Sequence, residues 1–122
     1  MEERKAKKMH ELGIVFHIIK TIERIGEENR LNTVTEVTLE LGEVSGVIPG
    51  ELNDCWNWAV KKTGLMNEAK LLIEKIPALT FCESCKETYG TIRHGRICPY
   101  CGSEMTYLVQ GNEINLKEIK AC

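Results

Sequence analysis

The chain is short of several things that would fix its role at once. It holds two Phe, three Tyr and two Trp, 6% aromatic in all, and its 16 Lys and Arg are outweighed by 18 Asp and Glu, for a formal net charge of -2 and a pI near 6.0. Backbone recognition of nucleic acid needs a basic surplus, and single-strand binding needs interleaved aromatics, so nucleic acid is not expected as a partner. No apolar run approaches the ~20 residues that cross a bilayer, and no secretory h-region opens the chain. Neither a Ser/His/Asp grouping nor paired carboxylates stand at a useful spacing, which argues against an enzyme. Prolines number three, histidines three, and there is no low-complexity segment or repeat apart from one duplicated cysteine pair.

What is present is cysteine. Cys82-Glu-Ser-Cys85 and Cys98-Pro-Tyr-Cys101 are separated by residues 86–97, a spacing that closes four thiolates around one metal ion. Pro99 and Gly102 supply turn chemistry around the second pair. A closed set of four sulfurs suits structural zinc, leaves no position open for substrate, and cannot activate water. Disulfide bonding is the blander alternative, and a rubredoxin-like iron-tetrathiolate is another, since Cys-Pro-Tyr-Cys-Gly also fits an iron loop. Of the remaining cysteines, Cys55 sits among apolar residues as a core thiol and Cys122 is incidental. Reduced metal-ligating cysteines fit the cytoplasm.

Residues 1–8 carry six charges and nothing to bury, so they read as a solvated leader or as a polar extension of the helix that follows. Leu12, Val15, Phe16, Ile19 and Ile22 then mark one apolar face of a helix ending near Asn29. Val37, Leu39 and Leu41 alternate with Glu36, Thr38 and Glu40, as in a strand with one buried face. A second helix is expected from Pro49, carrying Leu52, Cys55, Trp56 and Ala59 inward until Gly64 stops it. Trp58, about 200° from Trp56, points outward. Leu71-Leu72-Ile73, ended by Pro77, and Ile114-Asn115-Leu116 are two further strands, with a bulge expected near Glu118-Ile119. The simplest arrangement is α+β: two helices packed on a three-stranded sheet, with a four-cysteine zinc-ribbon lobe inserted before the last strand. The expected boundaries are a leader at 1–8, an α+β domain at 9–77 plus 112–122, and the zinc ribbon at 78–111.

Met9-His10-Glu11 directly before an amphipathic helix, Val37-Thr38-Leu39-Glu40-Leu41-Gly42, and the two cysteine pairs with Cys98-Pro-Tyr-Cys101-Gly102-Ser103 together resemble the HypA/HybF nickel metallochaperones of nickel-iron hydrogenase maturation. The resemblance runs from Met9 to near the C-terminus. It implies a nickel-binding α+β domain with a structural zinc domain, and nickel cargo delivered to the hydrogenase large subunit. It also implies a GTPase accessory protein as partner, and homodimers. The implied nickel ligands are Met9, His10 and Glu11, with the His10 imidazole as the essential side chain; nickel(II) accepts square-planar nitrogen coordination from an amine, amides and an imidazole. A histidine beside a helix start is otherwise a solvated or capping residue.

In this chain Met9 follows eight residues, so its nitrogen is a peptide amide. Either mature chains start at Met9, or residues 1–8 are a leader, or nickel is bound through another set such as His10, His17 and the Glu11 carboxylate. A helix running backwards through 1–8 would commit the amides of 9–11 to its own hydrogen bonds. Between the cysteine pairs, Arg93, Arg96 and nearby Lys86 are placed to offset the charge of a tetrathiolate, and His94 is a secondary ligand candidate. Glu43 and Trp58 are candidate partner contacts. A nucleic-acid-binding or other adaptor zinc ribbon is the competing functional reading.

Overall fold

The computed structural model describes residues 2–122, with side chains described from His10 onward. Helix α1 spans Glu2–Glu28, strand β1 Val34–Gly42, helix α2 Pro49–Val60 and strand β2 Lys70–Ile76. Strands β3 (Leu79–Cys82) and β4 (Thr88–Gly90), the short helix α3 (Thr91–His94), and strands β5 (Thr106–Gln110) and β6 (Ile114–Ala121) complete the order. The fold is α+β, with two three-stranded sheets of order β2-β1-β6 and β4-β3-β5. The chain divides into two compact units. One runs to Leu39 and includes Val47–Ile73 and Leu116–Cys122; the other comprises Glu40–Gly46 and Glu74–Asn115.

In the first unit α1 packs on α2. The buried face of α1 is Glu11, Val15, Ile18, Ile19 and Ile22, a stripe at i, i+4, i+7, i+8 and i+11. Phe16, expected on that face, is 42% exposed and instead meets the Trp58 ring edge-on at 6.5 Å. The buried face is rotated to include Glu11, a placement that polar/apolar patterning does not suggest. The C-terminus of α1 matches its expected end near Asn29. Leu31 N–H donates to Gly26 O and Arg30 N–H to Glu27 O, with Arg30 in the left-handed region at φ 54, a Schellman closure that has Arg where Gly is usual.

Helix α2 begins at Pro49 as expected and buries Leu52, Cys55, Trp56, Ala59 and Val60. Trp56 is fully buried, and its indole N–H donates to Ala69 O at 2.9 Å, so its one polar atom is satisfied. The helix ends at Val60, before Gly64. The N–H of Lys62 reaches Ala59 O and that of Thr63 reaches Val60 O, tightening the last turn, while the Thr63 hydroxyl donates to Val60 O. In the central strand β1, Val37, Leu39 and Leu41 are buried as the alternation requires, and Thr38 on the other face is buried as well. β6 continues through Glu118-Ile119 to Ala121.

In the second unit, Gly42 and Gly111 meet so closely that a Cβ on Gly42 would overlap the Gly111 carbonyl, and Gly111 has φ 121. Val44 N–H donates to Gly111 O at 2.7 Å and Gly42 N–H to Glu113 O at 2.8 Å. The Glu43 carboxylate accepts the Ala78 N–H at 2.9 Å, so this candidate partner contact is a tie within its own unit. Among the described residues no helix is long and apolar enough to cross a membrane.

Candidate metal centre

The four cysteines form one cluster, their sulfurs all lying within 4.8 Å of one another. Cys82 Sγ is 3.6 Å from Cys101 Sγ, and Cys85 Sγ is 3.6 Å from Cys98 Sγ. Zn–S bonds of about 2.3 Å put the corners of a tetrahedron about 3.8 Å apart, so these two cross-pair separations match a closed four-sulfur zinc site.

Each pair sits on the same kind of turn. After the first, Lys86 N–H donates to Cys82 O at 2.9 Å and Cys82 N–H to Glu87 O at 2.9 Å; after the second, Gly102 N–H donates to Cys98 O at 2.8 Å and Cys98 N–H to Ser103 O at 3.0 Å. Both turns close on a left-handed residue, Lys86 at φ 66 and Gly102 at φ 75. The hydroxyls of Ser84 and Ser103 join the two turns at 2.9 Å. Cys82 and Cys98 are buried with Tyr89, and Cys85 packs against them. Tyr89, which no sequence motif singled out, donates its hydroxyl to Gly95 O at 2.9 Å and meets the His94 ring edge-on at 5.9 Å. His94 therefore lies against an aromatic ring on the short helix, and Arg93, Arg96 and Lys86 are exposed.

The thiols are electrostatically unequal without metal. The backbone N–H of Cys85, followed by that of Ser84 and the neighbouring sulfurs, brings Cys82 down to about 7 against the opposing effect of burial. At Cys85 the backbone N–H of Glu87 favours the thiolate, but desolvation and the sulfurs of Cys98, Cys82 and Cys101 push the group up to about 12. A divalent cation removes this inequality by holding all four as thiolates.

His10 and His17 lie on α1. His10 has a 63% exposed side chain, with Nδ1 3.6 Å from Glu11 Oε1, whereas Glu11 itself is 1% exposed. Neither carboxylate oxygen of Glu11 receives a hydrogen bond from an N–H or hydroxyl donor, and Oε2 of Glu51, in the first turn of α2, is likewise buried without such a donor. Desolvation first, then the hydrogen bond and charge of Glu51, raise Glu11 above the ordinary carboxylate range, with His10 opposing. The Met9 side chain lies outside the described side chains. The backbone of 9–11 is helical and beyond the first four N–H groups of α1, so those amides belong to the helix's hydrogen-bond ladder. His17, expected to be partly buried, is exposed.

Residues 9–121 match the family model described as hydrogenase/urease nickel incorporation, metallochaperone, hypA. The chain is 33% identical over 111 residues to the hydrogenase maturation factor HypA of Actinobacillus succinogenes, covering 91% of this chain and 97% of that protein. It is 34% identical over 111 residues to that of Chlorobium phaeobacteroides, again 91% and 97%. Among solved structures, the nickel metallochaperone HypA of Helicobacter pylori has the same fold, with TM-score 0.68, 20% identity and coverage of 91% and 96%. A second HypA solution structure gives TM-score 0.72 at 22% identity, covering 93% and 97%. A match over nearly the whole length, at these identities and with the four-cysteine cluster in place, means that the chain belongs to the HypA family of nickel-incorporation metallochaperones.

Proposed function

We propose that this protein carries Ni(II) and delivers it to the large subunit of a nickel-iron hydrogenase during maturation, working with a GTPase accessory protein in the cytoplasm and catalysing no reaction itself. The observation that carries this reading is the Met9-His10-Glu11 triplet, standing where the family match begins. His10 is the exposed imidazole that captures nickel, and Glu11 supports it from the buried face. The nitrogen of Met9 joins them where the start of α1 unwinds or the chain begins there. Cys82, Cys85, Cys98 and Cys101 hold zinc as a structural ion, with Arg93, Arg96 and Lys86 offsetting its thiolate charge.

The division of labour proposed is a leader at 1–8, a nickel-binding domain at 9–77 plus 112–122, and a zinc ribbon at 78–111. The GTPase and hydrogenase surfaces are assigned to the nickel-binding domain. Phe16 and Trp58 support this, since both are exposed there, and Lys62 Nζ lies 3.8 Å above the Trp58 ring. A second copy of the chain is a further partner for that face. The test is nickel titration of the zinc-loaded protein beside His10→Ala, followed by transfer of bound nickel to hydrogenase large subunit. Stoichiometric nickel that is lost in His10→Ala is the expected result; equal uptake by both proteins would place the cargo elsewhere.

A further inference from the structure

The edge of a sheet is a template for another strand unless charge, proline, shortness or cover blunts it. The edges of this protein differ in that respect. Lys70, Glu74 and Lys75 stand on β2, Lys117, Glu118 and Lys120 on β6, and β4 has only three residues. β5, the remaining edge strand, reads Thr-Tyr-Leu-Val-Gln, with neither a charge nor a proline, and Met105, Tyr107 and Val109 are each more than half exposed. Its two faces have different surroundings. Leu108 opposes Thr80 and Thr106 opposes Cys82, so these share the face that carries the buried cysteines, whereas Tyr107 opposes Phe81 on the other. On the first face, along Thr106 and Leu108, runs a groove of about 430 Å³ that Thr80, Thr91, Arg96 and Glu104 also line. It has unused hydrogen-bond donors. The hydroxyls of Thr80, 3% exposed, and Thr91 meet at 2.6 Å, and two hydroxyls bonded to each other keep one O–H to offer. No carboxylate among the described residues pairs with the Arg96 guanidinium.

We propose that β5 and this groove bind an extended segment of a partner polypeptide, which adds to the sheet beside β5 and sets an Asp or Glu side chain against Arg96. The inference goes beyond the nickel-carrier reading, which places the GTPase and hydrogenase contacts elsewhere. An added strand sends alternate side chains to the two faces, so one lies beside Tyr107 and the next enters the groove. There the guanidinium fork and the free O–H are the donors that a carboxylate accepts from. Glu104, on the same groove, disfavours a second acid close by, and the uncharged edge leaves the choice of segment to the groove. A second copy of β5 suits this edge less well. The register with β3 takes two residues of β5, from Gln110 to Leu108, against one step from Leu79 to Thr80, so a bulge bends the strand at Val109. A two-fold pair of β5 strands would meet that bend twice, and β5 brings no carboxylate to Arg96.

The experiment is an NMR titration of the full-length, zinc-loaded protein with three blocked hexapeptides of alternating valine and threonine, in which one threonine is replaced by glutamate, glutamine or lysine. The glutamate peptide should shift the amides of 105–110 and 91–96 and bind about tenfold more tightly than the glutamine peptide, with the lysine peptide weakest. Arg96→Gln should remove that preference. Val109→Lys, which puts a charge on the exposed edge, should abolish binding of all three while zinc content and melting temperature stay as in wild type. Equal binding of the glutamate and lysine peptides, or no shift at 105–110 with any of them, would overturn the inference. Shifts at 105–110 that grow with protein concentration when no peptide is present would also overturn it, by making a second copy the occupant. Nickel titration of the same samples keeps the two readings apart: nickel uptake without peptide binding sinks this inference alone, and peptide binding without nickel uptake sinks only the carrier reading.

Discussion

The cysteine lobe and the start of α1, proposed here to serve zinc and nickel, are built on opposite plans. In the cysteine lobe all four ligand atoms come from two short turns, lie within 4.8 Å of one another, and close on themselves with Cys82 and Cys98 buried. Around His10 the neighbouring carboxylate, Glu11, comes from the same helix, and the imidazole stays exposed. A closed tetrahedron of soft sulfurs keeps its ion and contributes to folding, whereas an open set of harder donors can accept and release one. Under the proposed assignment, retention and transfer are separated within one small protein by ligand type and exposure.

The contrast would break most visibly if the cysteine cluster proved dispensable. Structural zinc contributes about 10–16 kcal/mol to the folding of small zinc modules. Cys98→Ser, or chelation, is therefore expected to unfold residues 78–111 while α1 and α2 keep their structure. Hydrogen exchange with zinc analysis checks this; protection across 78–111 in zinc-free protein would show that the sheet β4-β3-β5 folds without the ion.

The next largest effect belongs to the open site. His10→Ala should lower nickel affinity by about one to two orders of magnitude, since an imidazole is the one strong side-chain ligand there, and should leave the zinc content unchanged. Competition titration against a coloured chelator measures it. Loss of zinc in this variant would mean that the two regions are not separable.

Much of this was legible in the sequence, for physical reasons that differ between regions. Cysteine ligands on tight turns are local in sequence, so spacing alone assembled Cys82, Cys85, Cys98 and Cys101. Helix α2 was readable from Pro49 and its apolar stripe, and Trp56 and Trp58 fell on the expected sides. The rotated face of α1 was not readable, because a glutamate buried between helices looks like any solvated glutamate until its tertiary neighbour is known. The short strands β3, β4 and β5 and helix α3 were also missed. Metal and turn bonds, more than period or propensity, hold such pieces in place, and Tyr89 fills the core under them without belonging to any motif.

A smaller effect follows from the buried carboxyl. Glu11 is raised, so the folded state holds its proton more tightly than the unfolded chain does. The stabilisation is complete below the ordinary glutamate value near 4.3 and is lost as pH rises through the raised folded value. In metal-free α1–α2 chemistry, then, wild type should lose stability relative to Glu11→Gln across that window. Urea midpoints of the two zinc-loaded proteins, taken as a difference so that the cysteine contribution cancels, check the sign. Added nickel should reverse it in wild type only, which sharpens the distinction between an open site and a closed one.

The smallest effect lies inside the closed site, between its two turns of the same kind. Gly102 at φ 75 and Lys86 at φ 66 hold the same left-handed position and donate equivalent bonds, to Cys98 O and Cys82 O. A side chain in that region costs about 1–2 kcal/mol, and glycine returns part of the gain through the greater entropy of the unfolded chain, roughly 0.5–1 kcal/mol. Lys86→Gly should therefore stabilise the lobe by about 0.5–1 kcal/mol, and Gly102→Ala should destabilise it by about 1 kcal/mol. Lys86→Gly also removes a positive charge near the thiolates, so Lys86→Asn, which tolerates the left-handed region and is neutral, separates the two contributions. If Lys86→Asn lowers zinc affinity while Lys86→Gly raises thermal stability, the lysine serves the charge of the cluster at the expense of its turn. Equal stabilisation by both variants, measured by melting with zinc present, would assign the whole effect to the backbone.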